Sequence, residues 1–303
     1  MNSTSSKKTI IWLLSGLIIF TISLVITNRF FLQHNKGFCI GQIYSTQPID
    51  GSWDPSSSSS VSTLELQDIL TQSYSYLEKG HQSVVFESED KNYVLKFYRF
   101  PSHMRVTGWM SRPLTRFTDK RKAIRNYDEN KFVETKKSHL LAFDALRQES
   151  GLIAVHMSKS ENCPYTVHIK DALNHPYQVA LKDTFFVLQR KGQLIFPTLS
   201  ELIKQGRISE AQSIIDNTIS FVLMRSSKGI KDEDPILEKN YGLLGSYLFQ
   251  LDTGRLKISS SIKKPEDAKS EALTITEPLK NWLSIVSPDL LQYYLNTTEK
   301  IYN

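Results

Sequence analysis

Three short runs in this chain carry residue types suited to holding phosphate and a hard cation. Val94-Leu95-Lys96 places a lysine within a β-rich stretch. Lys228-Gly229-Ile230-Lys231-Asp232-Glu233-Asp234-Pro235 is followed by Asn240, and Gln250-Leu251-Asp252-Thr253-Gly254 comes next. An ammonium can sit on phosphate oxygens, and carboxylate and amide oxygens are the hard donors that Mg²⁺ takes. Asn240 and Asp252 are twelve positions apart, room for a short hairpin that brings both to one cleft. A fourth run, Gly80-His81-Gln82-Ser83-Val84-Val85-Phe86, sets a glycine ahead of another β-rich stretch. Taken singly each has an ordinary meaning: a strand lysine is usually a solvated edge residue and Asp-Thr-Gly a turn.

The elements that must position these residues follow from pattern. Ser62 or Thr63 can cap a helix carrying Leu64, Leu66, Ile69, Leu70 and Leu77, with Gly80 ending it. Val84 to Phe86 and Tyr93 to Tyr98 read as two strands around the polar turn Glu87 to Asn92. A long helix is expected from about Arg121 to Glu149, then a strand from Gly151 to His156. Tyr165 to Ile169 and Tyr177 to Leu181 read as a hairpin, and Thr184 to Leu188 as a further strand. From Ser200 to about Ser226 apolar residues recur at helical spacing. Leu279 to Ile285 and Leu290 to Leu295 continue that pattern on either side of a break at Ser287-Pro288-Asp289. A β-rich half with one helix thus precedes a helix-rich half.

That order, with those runs upon it, resembles the protein kinase-like fold over about residues 80–256. The implied fold class is α+β: a two-lobed domain with a β-rich N-lobe at about 63–191 and a reduced helical C-lobe at about 192–303. In the resemblance Gly80, Gln82 and Ser83 belong to a degenerate glycine-rich loop, which has one glycine where active kinases tend to have three. Lys96 is the cation that pairs with nucleotide phosphates, and Asn240 and Asp252 are the metal ligands, with Thr253 in place of the usual Phe. The acid that pairs with Lys96 would come from the long helix before Gly151, as Asp144 or alternatively Glu134. The catalytic base would be Asp232 or Asp234, although the family's aspartate stands five positions before its asparagine and these stand eight and six before. The implied cofactors are ATP and Mg²⁺. The short C-terminal lobe argues against an ordinary protein kinase.

Upstream, Thr9 to Asn28 holds no charged residue and makes about 30 Å of helix, enough to cross a hydrocarbon core. Its end, Ile26-Thr27-Asn28-Arg29-Phe30-Phe31, lacks the small-x-small pattern of a signal peptidase site. The run is apolar on every side, unlike a core helix. Residues 1–8 therefore read as a tail, 9–28 as a single transmembrane helix, 29–62 as a flexible linker rich in Ser, Pro and Gly, and 63–303 as the folded domain. Lys7 and Lys8 on one side nearly balance Arg29 and Lys36 on the other, so orientation is undecided.

The net charge of +6 is uneven. Arg99, Arg105, Arg112, Arg116, Lys120, Arg121, Lys122 and Arg125 form a basic run opposed only by Asp119 and interrupted by Trp109 and Met110. Anionic membrane lipid is the expected partner; a nucleic acid polymer is not expected, because no nucleic-acid motif is present. Cys39 and Cys163 have no metal-ligand spacing, and a bridge between them is left open. The functional expectation is a membrane-anchored, atypical kinase-like protein that binds ATP with Mg²⁺ and transfers phosphate. The alternative is a pseudokinase or another anchored binding module without catalysis.

Overall fold

The computed structural model describes residues 3–48, 59–106 and 119–302. Trp109, Met110, Arg112 and Arg116 of the basic run lie outside the described residues, as do the side chains of Lys120 and Arg121.

Helix α1, Ser3–His34, is longer than the uncharged run that nucleates it. From Trp12 to His34 it is long and apolar enough to cross a membrane, and none of that stretch is buried in the protein. It is an exposed apolar helix of the kind that serves as an anchor or a signal sequence. Gly37, at φ +73°, turns the chain off the helix, and its amide returns to the carbonyl of Leu32 at 2.6 Å. Such a left-handed position suits glycine because no Cβ meets the backbone.

The stretch read as a flexible linker is largely structural where it is described. Asn35, Phe38, Ile43 and Ser45 have no exposed surface. The Phe38 ring packs edge-on to Phe86 at 5.4 Å and to Tyr177 at 6.2 Å. Tyr44 and Ser45 bridge to Thr184 and Arg105. The turn formers concealed this, because two large apolar side chains are enough to fasten a loop when a sheet face lies beneath them.

Helix α2, Thr63–Thr71, is capped by Ser62, whose side chain accepts from the amide of Glu65. It is shorter than its apolar spacing suggests. Leu77 belongs instead to strand β1, Ser73–Lys79, which pairs with β2, Ser83–Ser88. Strand β3 is Tyr93–Tyr98, β4 Leu152–His156, β5 Thr166–Lys170, β6 Pro176–Ala180 and β7 Phe186–Arg190. These seven make one sheet in the order β4-β7-β3-β2-β1-β5-β6. One face carries Val84, Phe86, Leu95 and Phe97 beneath Phe38 and Ile43. The other is covered by helix α3, Asp119–Ala145, whose Ala142 and Phe143, with Leu146 just after it, pack against Val155 and Val187. The short helix α4, Arg147–Ser150, follows and stops at Gly151.

Strand β8, Gln193–Leu194, leads into the helical half. The region of helical spacing from Ser200 to about Ser226 belongs to two helices, α5, Ile195–Lys204, and α6, Ile208–Ser227. Between them the Gly206 amide meets the carbonyl of Ile203, a tight turn that ends the first helix. After α6 come β9, Ile230–Asp232, helix α7, Leu237–Asn240, and the hairpin β10, Tyr241–Leu244, with β11, Tyr247–Gln250. Strand β12, Leu256–Ile258, returns to pair with β9. Helices α8, Pro265–Val286, and α9, Pro288–Tyr302, complete a core with α5 and α6 around Ile215, Val222, Leu279 and Leu283. The molecule is α+β, with a β-rich region followed by helices. Cys39 and Cys163 are free thiols, the first exposed and the second buried.

Candidate phosphate and metal site

Lys96 sits mid-strand in β3, and register decides which way it points. It pairs with Val85 of β2 and Val187 of β7, and Val85 pairs with Glu78 of β1. Because alternate strand residues share a face, Glu78, Val85, Lys96 and Val187 form one row on the face opposite Val84 and Phe97. That face looks toward helix α3 and the second half of the chain.

The Lys96 ammonium donates to the carbonyl of Leu251 at 2.6 Å. Burial pushes its pKa down, while the charges of Asp252 and Glu78 push it back up. An added anion would offset the cost of enclosing this charge.

The β10–β11 hairpin brings Asn240 and Asp252 together. The carbonyl of Asn240 accepts the amides of Leu251 at 2.8 Å and Asp252 at 3.3 Å. The Asn240 amide nitrogen donates to the carbonyl of Asp234 at 2.6 Å. Asp252 is exposed; its Oδ1 accepts the Gly254 amide at 2.9 Å, and its Oδ2 has no hydrogen-bond partner among the described residues. Lys96, Asn240, Asp252 and the backbone of Asp234 thus occupy one locality, although 138 positions separate Asp234 from Lys96 in the chain. This donor set fits Mg²⁺: one free carboxylate oxygen and one side-chain amide oxygen beside a cation. Asn240 and Asp252 would hold the ion, and it would supply charge neutralisation to phosphate oxygens.

The two base candidates separate cleanly. Asp232 is buried, with Oδ2 accepting from the Tyr241 hydroxyl at 2.8 Å and from Gln250 at 2.5 Å, and Oδ1 accepting from the amide of Asp234. The guanidinium of Arg225 stands 3.5 Å away, itself wholly buried and held also by Tyr241, Gln250 and Glu271. A buried carboxylate met by three donors and an arginine is a structural group. Asp234 is half-buried, and its backbone carbonyl, not its carboxylate, is what meets Asn240.

Neither acid offered as partner of Lys96 takes that place. Asp144 and Glu134 are both exposed on α3. The helix turns Thr135, Ser138 and His139 inward instead, a one-turn pattern at i, i+3 and i+4. Ser138 donates to the carbonyl of Thr253 at 2.6 Å and accepts the amide of Leu256 at 2.6 Å. His139 Nδ1 lies 2.8 Å from the Thr253 hydroxyl. Burial pushes the His139 pKa down to about 4, with the positive charge of Lys96 adding to the fall and Asp252 opposing it. The ring is therefore neutral at pH 7 and cannot replace a carboxylate as counter-ion. These three residues were legible as one helix face, but nothing in their types pointed to Lys96.

The loop at Gly80 is a tight turn, with the Gly80 amide on the carbonyl of Ser83 at 2.9 Å. A Cβ at Gly80 would meet only ordinary contacts, so its glycine is not demanded by the protein itself. Gln82 reaches away from the loop: its side-chain oxygen accepts from Thr135 at 3.0 Å and lies close to Gly254. Gln82 thus ties the loop to α3 and to the Asp252 turn. Ser83 stays in β2 at the loop's edge, paired with Tyr98.

No family model matches the chain, and no curated protein matches it. Solved structures similar to it include the bifunctional kinase-methyltransferase WbdD, with a TM-score of 0.34 and 14% identity, covering 73% of this chain and 42% of that chain. A 2.2 Å crystal structure of WbdD gives a TM-score of 0.33 and 16% identity, covering 73% and 43%. The ROP18 kinase domain in complex with AMP-PNP and sucrose gives a TM-score of 0.32 and 14% identity, covering 60% and 51%. The similarity to kinase domains is distant, and the chain spans about half or less of each of these chains.

Proposed function

We propose that this chain is a membrane-tethered, kinase-like phosphotransferase that binds ATP with Mg²⁺. The observation that carries the proposal is the convergence at residues 251 and 252. Lys96 bonds to the carbonyl of Leu251, and Asn240 bonds to the amides of Leu251 and Asp252. Phosphoryl transfer asks chiefly for positioning and charge neutralisation, and a cation beside two hard oxygen ligands answers that need. Asp234 is the carboxylate assigned to orient the acceptor hydroxyl. The tether is α1, whose end is built into the domain through Asn35 and Phe38.

A second reading, a nucleotide-binding module without turnover, draws on one specific feature. Helix α3 presents neutral His139, not a carboxylate, near Lys96. Kinases in their active state pair that lysine with an acid of this helix.

The experiment takes the full chain in detergent and follows thermal unfolding with MgATP, with Lys96→Ala and Asp252→Ala as controls. Stabilisation lost in both variants, together with transfer of the γ-phosphate to protein or water, supports the phosphotransferase. Stabilisation without transfer supports the second reading, and no shift at millimolar nucleotide overturns both. Protease added to intact cells or spheroplasts decides topology. A domain that is digested there cannot draw on cytosolic ATP.

A further inference from the structure

The β1–β2 turn has a second face, turned away from Lys96. Lys79 pairs with Val84, so it points to the side on which Phe38 is buried. Its ammonium lies directly against Gly37, the residue that takes the chain off helix α1. Arg99 is close behind, donating to the carbonyl of His81 at 2.8 Å while its amide bonds to the carbonyl of Gln82. Arg105 joins from the next loop, its side chain donating to the carbonyl of Phe100 at 2.7 Å and its backbone bridging to Ser45. All three keep some accessible surface, and Lys36 beside Gly37 is exposed.

The cations of this group oppose one another. Burial and the charge of Arg99 both lower the pKa of Lys79, and the same two causes act on Arg105. No carboxylate forms an ion pair with Lys79, Arg99 or Arg105 among the described residues. The acids of the neighbourhood are engaged elsewhere or face another way. Asp128 meets His103, Asp171 accepts from Asn35 and Tyr177, and Glu78 lies on the Lys96 face of the sheet.

We propose that Lys79, Arg99 and Arg105, with Lys36, form a seat for the phosphates of anionic lipid headgroups at the foot of helix α1. The inference rests on α1 being a membrane tether and adds to it a lipid class and a place. Helix continuity supplies the location: Asn35 is buried against Asp171 directly after the helix, so this face meets the bilayer surface where α1 leaves it. Charge supplies the partner, since clustered Lys and Arg next to a span attract acidic lipid. The seat borders the turn that holds Gln82, and headgroups bound there would bear on the loop above the phosphate site.

The test reconstitutes the full chain in vesicles of phosphatidylcholine alone or of phosphatidylcholine with phosphatidylglycerol, and reads amide hydrogen exchange at 79–82 and 99–105. Exchange slowed about fivefold or more by the acidic lipid, and restored by 1 M salt (where the screening length falls to about 3 Å), is expected. The triple variant Lys79→Gln/Arg99→Gln/Arg105→Gln should lose the slowing, and Arg99→Lys alone should keep it. Unchanged exchange in α8 shows that the triple variant remains folded. Equal exchange in both vesicle types overturns the proposal, as does equal slowing by inorganic phosphate added to phosphatidylcholine vesicles. Alkaline carbonate extraction tests the tether separately. A chain that is extracted refutes the tether, and the seat is then judged by co-sedimentation with the same vesicles: binding only to the acidic ones upholds it, binding to neither overturns it.

Discussion

The Lys96 ammonium rests on the carbonyl of Leu251 at 2.6 Å, one residue short of Asp252. A lysine held by a neutral oxygen, with a carboxylate near and no acid from helix α3, is under-neutralised. The first prediction follows from that imbalance. Lys96→Met should leave the stability of the ligand-free chain within about 1 kcal/mol of the parent, because the lost hydrogen bond is offset by removing an enclosed charge. The same variant should abolish stabilisation by MgATP. Thermal unfolding with and without nucleotide measures both.

His139 predicts an acid sensitivity. Its pKa in the folded chain is about 4, below the ordinary 6.5. The unfolded chain therefore takes up the proton first as pH falls. The stability linked to neutral His139 is present above about pH 6.5 and is lost between there and about pH 4. Between pH 7 and pH 5 the loss is about 2 kcal/mol. His139→Gln should show a correspondingly shallower fall over that interval in urea titrations. Parallel curves for the two proteins would refute it.

Asp232 and Asp234 should fail in different ways. Asp232→Asn leaves the buried Arg225 short of a counter-charge and should cost about 3 kcal/mol of stability. Asp234→Asn alters a half-buried carboxylate and should change stability by less than about 0.5 kcal/mol. Under the proposed function it should also remove phosphate transfer while MgATP still stabilises the chain. Denaturant unfolding and a transfer assay on the two variants separate these outcomes.

Metal dependence singles out Asn240 and Asp252. Asp252→Asn removes the free carboxylate oxygen, and the Mg²⁺ concentration needed for half-maximal stabilisation by ATP should rise tenfold or more, about 1.4 kcal/mol in binding. Lys96→Met should instead show no stabilisation by ATP at any Mg²⁺ concentration. Titration of Mg²⁺ at fixed ATP reads the difference.

The segment before residue 63 should be needed for folding. Phe38→Ala empties an aromatic site in the core and should destabilise by about 3–5 kcal/mol. A chain beginning at residue 63 should be less stable than one beginning at residue 35, by circular dichroism and by resistance to protease. Equal stability would show that Phe38 and Ile43 are dispensable.

Much of the scaffold was readable locally. The β-rich runs Val84 to Phe86 and Tyr93 to Tyr98, the hairpin of β5 and β6, and the break at Ser287-Pro288 are decided by neighbours a few positions away. Leu77 shows the limit of such reading. Its helical spacing from Leu70 was genuine, but pairing of β1 with β2 claimed it, since a strand partner outweighs local preference. The burial of Phe38 and Ile43 was hidden for a similar reason, because they have value only above a sheet face that the sequence does not display; residues 49–58 of the expected linker lie outside the described residues.

The apolar run of α1 and the succession of Lys96, Asn240 and Asp252 along the chain were settled by the sequence alone, through composition and spacing. Their meeting at Leu251 and Asp252 was settled by strand register and by the hairpin after Asn240. Tertiary structure also gave the two aspartates different surroundings, enclosing Asp232 with Arg225 and leaving Asp234 half-buried. It turned Asp144 and Glu134 outward and His139 inward, because packing of Ala142 and Phe143 against the sheet fixes the rotation of α3. Residue type states what a side chain can do; long-range packing states what it can reach.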